Sequence, residues 1–295
     1  MQAVLQRATL SRHGYALRCA YTTRAAAATG ASHALPLFDN VKLERSGKGT
    51  TVLTMCRGPV NSLNMELLQD IDNAIKAAEK DSETKALVIT SHSPKVFCAG
   101  IDLSEMYRPN PERLPKFWKS LQQMWLTLYG TRLPVIAAIT GSAPAGGCLI
   151  AMGADYRIMS EGKTTIGLNE AEIGITLPDF FLQPMISLVG PRQTELLTTL
   201  GILLDTKEAL KIGLIDEVVA NDQVLPRALE QSVAFGDVID SARADTKLQI
   251  RKPILDRHRN TLDEDIQKFL KAVNSETTQQ MFDNYLAKLQ ARKKK

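Results

Sequence analysis

Two stretches of this 295-residue sequence place small residues where a main chain can do chemistry. Residues 134–139 (PVIAAI) form a short apolar run flanked by Gly141 and Pro144, and Ala145-Gly146-Gly147-Cys148 follows without a bulky side chain. A strand that opens into a helix through glycines exposes the unpaired N–H groups of the first helical turn. Such a corner suits an anion, or an oxygen acquiring negative charge. Read alone, the same glycines also describe a corner where a helix packs closely on a strand. A second junction of this kind is Phe97-Cys98-Ala99-Gly100-Ile101-Asp102-Leu103, with Asp102 where an N-cap or first-turn acid belongs. Glu170 and Glu172 follow Gly167-Leu168-Asn169 and, taken by themselves, read as loop acids facing water. Cys19, Cys56, Cys98 and Cys148 are widely spaced, form no CxxC pair and have no clustered histidines, so neither a disulfide framework nor a metal site is indicated.

The elements that must carry these junctions alternate between strand and helix. Residues 41–44 and 50–55 read as two strands joined by a turn at Ser46-Gly47-Lys48-Gly49. Asn61-Ser62 then precede a helix over 65–79, in which Leu67, Leu68, Ile71, Ile75 and Ala78 recur at helical spacing. Strands are expected at 86–90, 134–139, 156–159 and 214–219, and helices at 118–129, 193–200 and 207–211. Beyond Pro226 the chain reads as helical, ending in an amphipathic segment over 277–290. The alternation predicts an α/β fold whose sheets are covered by helices. The segment Thr176-Leu177-Pro178-Asp179-Phe180-Phe181 is expected to shape a pocket, with core packing the commoner role for its two phenylalanines.

Charge divides the chain into three parts. Arg7, Arg12, Arg18 and Arg24 lie among Ser, Thr and Ala residues, with no acid before Asp39. This is the composition of a mitochondrial transit peptide, which places the protein in the mitochondrial matrix; the simpler alternative is a disordered extension. The divisions are a leader over 1–35, a core over 36–225 and a helical region over 226–295. The net charge of +4 includes those four arginines and Arg292, Lys293, Lys294 and Lys295, so the body between carries about −4. An acidic body argues against a nucleic-acid partner. No apolar run approaches the length needed to cross a bilayer, so no integral membrane segment is expected.

Four stretches, taken in order, are similar to those of the crotonase, or enoyl-CoA hydratase/isomerase, superfamily: 96–103, 141–149, 167–175 and 209–219. The isomerase branch is the nearer match, through Cys98-Ala99-Gly100-Ile101-Asp102-Leu103, Pro144-Ala145-Gly146-Gly147-Cys148-Leu149 and Gly167-Leu168-Asn169-Glu170. The resemblance implies ββα turns stacked into a superhelix, followed by C-terminal helices that build a homotrimer. It also implies an acyl-CoA thioester as substrate, with CoA part of that substrate and no separate cofactor or metal.

The resemblance assigns the backbone N–H groups of Ile101 and Gly146 to the thioester oxygen. Ala99, Gly100, Ile101, Asp102, Leu103, Gly146 and Asn169 are the implied substrate-binding residues. Glu170 becomes the catalytic base by its position relative to Gly174, and Glu172 becomes a solvent-facing or ion-paired residue. Hydration of a 2-enoyl thioester employs two carboxylates, and the hydratase pattern places the second just after Gly-Gly-Cys, where this chain has Leu149. The expected reaction is therefore transfer of a double bond, from a cis or trans 3-enoyl-CoA to the trans-2-enoyl-CoA, by one glutamate. The alternatives are a hydratase, and a noncatalytic protein that binds acyl-CoA or RNA; the acidic balance of the 65–79 helix opposes RNA.

Overall fold

In the computed structural model the described residues are 34–293, with side chains described to 287. The expected leader lies almost wholly outside them, as does the extreme basic end of the chain. Chain order begins with β1 (Val41–Gly47), β2 (Thr50–Met55), α1 (Met65–Lys80) and β3 (Ala86–Ser91), and a 3-10 turn follows at Leu103–Glu105. Next come α2 (Arg113–Gly130), β4 (Val135–Ile139), β5 (Ala143–Pro144), α3 (Gly146–Gly153), β6 (Tyr156–Ser160) and β7 (Thr165–Gly167). A second 3-10 turn, Glu170–Ile173, leads to α4 (Asp179–Val189), α5 (Pro191–Thr199), β8 (Leu204–Asp205), α6 (Thr206–Lys211) and β9 (Glu217–Val219). The remainder is helical: α7 (Val224–Gly236), α8 (Asp240–Asn260), α9 (Leu262–Val273) and α10 (Glu276–Lys293).

Six strands form one sheet in the order β1-β2-β3-β4-β6-β9, antiparallel only between β1 and β2. Its central strands β3 and β4 are buried along their whole length because both faces are covered. Successive residues point to opposite faces, so Leu53, Leu87, Ile89, Val135 and Ala137 join the core beneath α1 and α2. Their neighbours Val52, Val88, Ile136, Ala138 and Ile158 pack on Val224 and Ala228 of α7. A smaller sheet, β5-β7-β8, supplies the second strand of the turn made by β4, β5 and α3, and β7 follows β6 in the same way. The architecture is the expected α/β superhelix with C-terminal helices.

Some elements differ from expectation. The strand expected over 214–219 shrinks to Glu217–Val219, because the N–H groups of Leu214 and Ile215 turn back to the Ala209 carbonyl and close the end of α6. The helix at α1 is capped by Asn64, whose side chain accepts from the Leu67 N–H at 3.0 Å. Asn61 serves the fold instead: fully buried, its amide donates to Ser91 Oγ and to the Phe97 carbonyl. The Thr176–Phe181 segment runs into α4, a helix hidden from pattern reading by Pro178 at its start and Pro184 inside it.

The C-terminal helices are bolted to the strands by charge. Asp155, between α3 and β6, accepts from Lys247 Nζ at 2.6 Å and Arg251 Nη2 at 3.0 Å, both from α8. Lys247 also donates to the Leu133 carbonyl, and Arg251 to the carbonyls of Tyr129, Gly153 and Ala154. Arg157 adds a bond to the Ala154 carbonyl at 3.0 Å. Two guanidinium groups thus satisfy the last carbonyls of α3, the end where a helix favours positive charge.

Candidate active site

The two small-residue junctions meet. A parallel bridge between Val96 and Ser142 carries the 97–102 segment past the end of β4. The Phe97 N–H donates to Ser142 O at 2.9 Å and the Ser142 N–H to Lys95 O at 3.0 Å. Contact is close enough that a Cβ on Gly147 would collide with the Cys98 carbonyl oxygen. The small residue there is a requirement of this crossing.

A second bridge, between Leu63 and Ile101, sets the direction of the Ile101 amide. The Leu63 N–H donates to Gly100 O at 2.8 Å, and Leu63 O accepts from the Asp102 N–H at 3.1 Å. The groups on either side of Ile101 therefore face Leu63, and in an extended chain the N–H of Ile101 itself points the opposite way. Among the described residues it has no acceptor. Gly146 is the first residue of α3, and its N–H likewise has no acceptor among them. The two segments touch: a Cβ on Gly146 would lie 3.5 Å from the Ile101 nitrogen and 3.4 Å from Gly100 Cα. The structure thus brings together the two unpaired donors expected at this corner.

Beside them opens a cavity of about 800 Å³. Ala99, Ile101, Asp102, Leu103, Asn169 and Glu170 line it, while Gly100 and Gly146 sit behind its wall, both buried. Asn169 turns its amide to Glu172 Oε2 at 3.1 Å, and Glu172 faces solvent. Asp102 is held by its neighbours, accepting from Ser104 N–H and Oγ and pairing with Arg57 Nη2 at 2.8 Å.

Glu170 differs from every other acid at the site. It is 5% exposed, and neither carboxylate oxygen has a hydrogen-bond partner. Burial pushes its carboxyl up to about 8. A buried acid without a donor costs stability, and such groups cluster where a proton has to be moved. Cys148 and Leu149, on the first turn of α3, are both fully buried. Burial, with the nearby Glu170 charge, raises the Cys148 thiol and keeps it protonated.

The rest of the cavity is apolar. Trp118 of α2, Phe181 of α4, Phe269 of α9, and Tyr285 and Leu286 of α10 form its walls. Phe180 points away, into an aromatic core with Trp125 and His258. The contributions of α9 and α10 were not foreseeable from a pattern, since after Phe181 the chain returns to the cavity only at Phe269. Leu63 and Arg57 also carry no sequence signal of their own. Two unpaired main-chain donors, a buried carboxyl and an apolar hollow thus lie side by side.

The chain matches the model of the enoyl-CoA hydratase/isomerase family over residues 45–295. The chain belongs to the enoyl-CoA hydratase/isomerase family. It is 38% identical to the mitochondrial enoyl-CoA delta isomerase 1 of Rattus norvegicus over 255 residues, 86% of this chain and 88% of that protein. The crystal structure of human mitochondrial delta3-delta2-enoyl-CoA isomerase superposes with a TM-score of 0.84 at 35% identity, covering 86% of this chain and 99% of that one. Similarity extends to the short-chain-enoyl-CoA hydratase of Clostridium acetobutylicum, 35% identical over 193 residues, 65% of this chain and 74% of that protein. The superhelix described above is accordingly the crotonase fold of this family. Among its described residues no helix is long and apolar enough to cross a membrane.

Proposed function

We propose that this family member is a Δ3,Δ2-enoyl-CoA isomerase in which Glu170 carries a proton from C2 to C4. The observation that supports this most is that Glu170 is the one unpaired acid among the described residues lining the cavity. Asp102, the other acid there, is committed to Arg57 and Ser104. Water addition across a 2-enoyl thioester calls for a second carboxylate, and Leu149 occupies the position that the hydratase pattern gives it.

The mechanism follows from charge. Removing a C2 proton from a 3-enoyl-CoA moves negative charge onto the thioester oxygen, where the Ile101 and Gly146 N–H groups stabilise it more than they do the neutral carbonyl. The dienolate delocalises as far as C4. Glu170, now protonated, returns the proton there and yields the trans-2-enoyl-CoA. A carboxyl held near 8 suits both steps, since it accepts a proton and keeps it long enough to redeliver it. The low-dielectric walls strengthen the donors further.

The arginine-rich, acid-free first 38 residues, together with the mitochondrial names of its relatives, support placement in the mitochondrial matrix and a part in the breakdown of unsaturated fatty acids. In this reading residues 1–35 are the leader, residues 36–225 the catalytic core and 226–295 the helical region. Assembly as a homotrimer is the family's implication.

The test is turnover of a 3-enoyl-CoA and a 2-enoyl-CoA by the protein and by Glu170→Gln. Isomerisation that vanishes in the variant, with little hydration by the parent, supports the reading. Strong hydration, or isomerisation that survives the substitution, assigns the chemistry to another group.

A further inference from the structure

Leu63 touches both candidate oxyanion donors. Its backbone pairs with Gly100 and Asp102 and so aims the Ile101 N–H. Its side chain abuts the other donor: Leu63 Cδ1 is 2.7 Å from where a Cβ on Gly146 would project. One residue, fully buried, therefore spaces the two N–H groups.

That residue is locked from one direction. Arg57 Nη1 donates to the carbonyl of Ser62, immediately before Leu63, at 2.7 Å. The other arm of the same guanidinium pairs with Asp102 Oδ2 at 2.8 Å, immediately after Ile101. A planar fork thus spans both chains of the Leu63–Ile101 bridge, a geometry that a lysine point charge does not reproduce. Asp102 is fixed from its other oxygen by Ser104. Burial pushes the Asp102 carboxyl up, but Ser104 and Arg57 together hold it below the usual carboxylate range, so it stays charged at neutral pH.

We propose that Arg57 and Asp102 are positioning residues: their ion pair, acting across the Leu63–Ile101 bridge, sets the Ile101 N–H at the angle and distance from the Gly146 N–H that an enolate oxygen requires. Neither side chain needs to touch the reacting atoms. This rests on the reading of the site as one that forms an enolate.

A simpler role for Arg57, as a remote positive charge that stabilises the enolate, makes opposite predictions for the two partners. If charge alone acted, Arg57→Met would weaken enolate binding and Asp102→Asn would strengthen it. Positioning requires both substitutions to weaken it, and the double variant to be little worse than either one.

The probe is acetoacetyl-CoA, whose bound enolate is read by its ultraviolet absorbance as pH is varied; octanoyl-CoA affinity reports ground-state binding. In Arg57→Met and Asp102→Asn we expect the bound enolate to form at higher pH. We also expect kcat for a 3-enoyl-CoA to fall on the order of 10- to 100-fold in both, with the octanoyl-CoA affinity of Arg57→Met, whose side chain lies outside the cavity lining, within about threefold of the parent. Arg57→Lys should recover part of the loss. Unchanged enolate formation in both single variants, or opposite shifts in the two, overturns the proposal while leaving the proposed function intact. A parent protein that binds acetoacetyl-CoA without stabilising its enolate removes the premise as well. Enolate formation that persists in Glu170→Gln shows that the donors work independently of the base.

Discussion

Trp118 stacks on Phe269 with ring centroids 3.6 Å apart and 11° between their planes, so one wall of the cavity is a joint between α2 and α9. The indole N–H donates to Asp265 Oδ2 at 2.7 Å, which also accepts from Gln122 Nε2, and this fixes the ring in place. The stack limits the room available to an acyl chain.

Shortening this wall should shift chain-length preference. Phe269→Leu is expected to raise kcat/KM for longer 3-enoyl chains relative to short ones by about threefold or more. One added methylene in an apolar pocket is worth roughly 1–3 kcal/mol at most, which sets the ceiling. A series of 3-enoyl-CoA lengths measures it, and an unchanged profile would show that the acyl chain does not reach this wall.

Gly146→Ala should damage turnover through contact rather than charge. The new methyl would meet Leu63 Cδ1 at 2.7 Å and push one donor from its place. We expect kcat to fall on the order of 10²-fold, as for loss of one oxyanion donor. Leu63→Ala in the same protein should restore part of that activity, provided the fold persists by circular dichroism.

Activity should track ionisation of Glu170. With its carboxyl pushed up to about 8, the free protein holds mostly the protonated acid at pH 6, so kcat/KM should rise with pH and level off above about 8. A profile already flat at pH 5 would mean that the base ionises as an ordinary carboxylate.

The same carboxyl makes stability fall with pH. Its pKa is raised in the folded protein, so the folded state binds the proton more tightly than the unfolded chain does. The stability gained this way is complete below the ordinary value near 4.5 and is lost as pH rises through about 8. Glu170→Gln should therefore gain in Tm relative to the parent between pH 5 and pH 8, by on the order of 5 °C. A constant difference in Tm would contradict this.

Asp155→Ala should unfold the join between the C-terminal helices and the strands. Lys247 and Arg251, both buried, would lose their shared carboxylate, and breaking a buried pair from one side costs about 3–5 kcal/mol. Burial already lowers Lys247 to about 8, so the stranded amine should shed its proton. Chemical denaturation with a reduced midpoint checks the prediction.

Much of this architecture was legible in the sequence because its signals are local. The apolar runs that became β3 and β4, the periodicity of α1 and the small residues at 99–100 and 145–147 each follow from contacts within a few residues or from backbone geometry. The strand expected at 214–219 begins only at Glu217 for a tertiary reason: Leu214 and Ile215 are apolar because they are buried in the turn that closes α6. Glu170 illustrates the other limit. Nothing in its neighbours declares it buried, since its cover comes from elements distant in sequence, and only the family likeness singled it out. Arg57 and Leu63 lacked even that, because their contacts with Asp102 and Gly146 exist only in the folded chain.

The packing of α10 against the Glu170–Ile173 turn, with Met281 filling the space beside Gly174, has a consequence for how the protein comes into being. A chain made or threaded N-terminus first delivers Glu170 more than 100 residues before Tyr285 and Leu286. Until α10 arrives, that carboxylate borders a cavity that lacks its Tyr285 and Leu286 wall. On the reading of Glu170 as the base, the proposed enolising site is thus assembled only once α10 has been made.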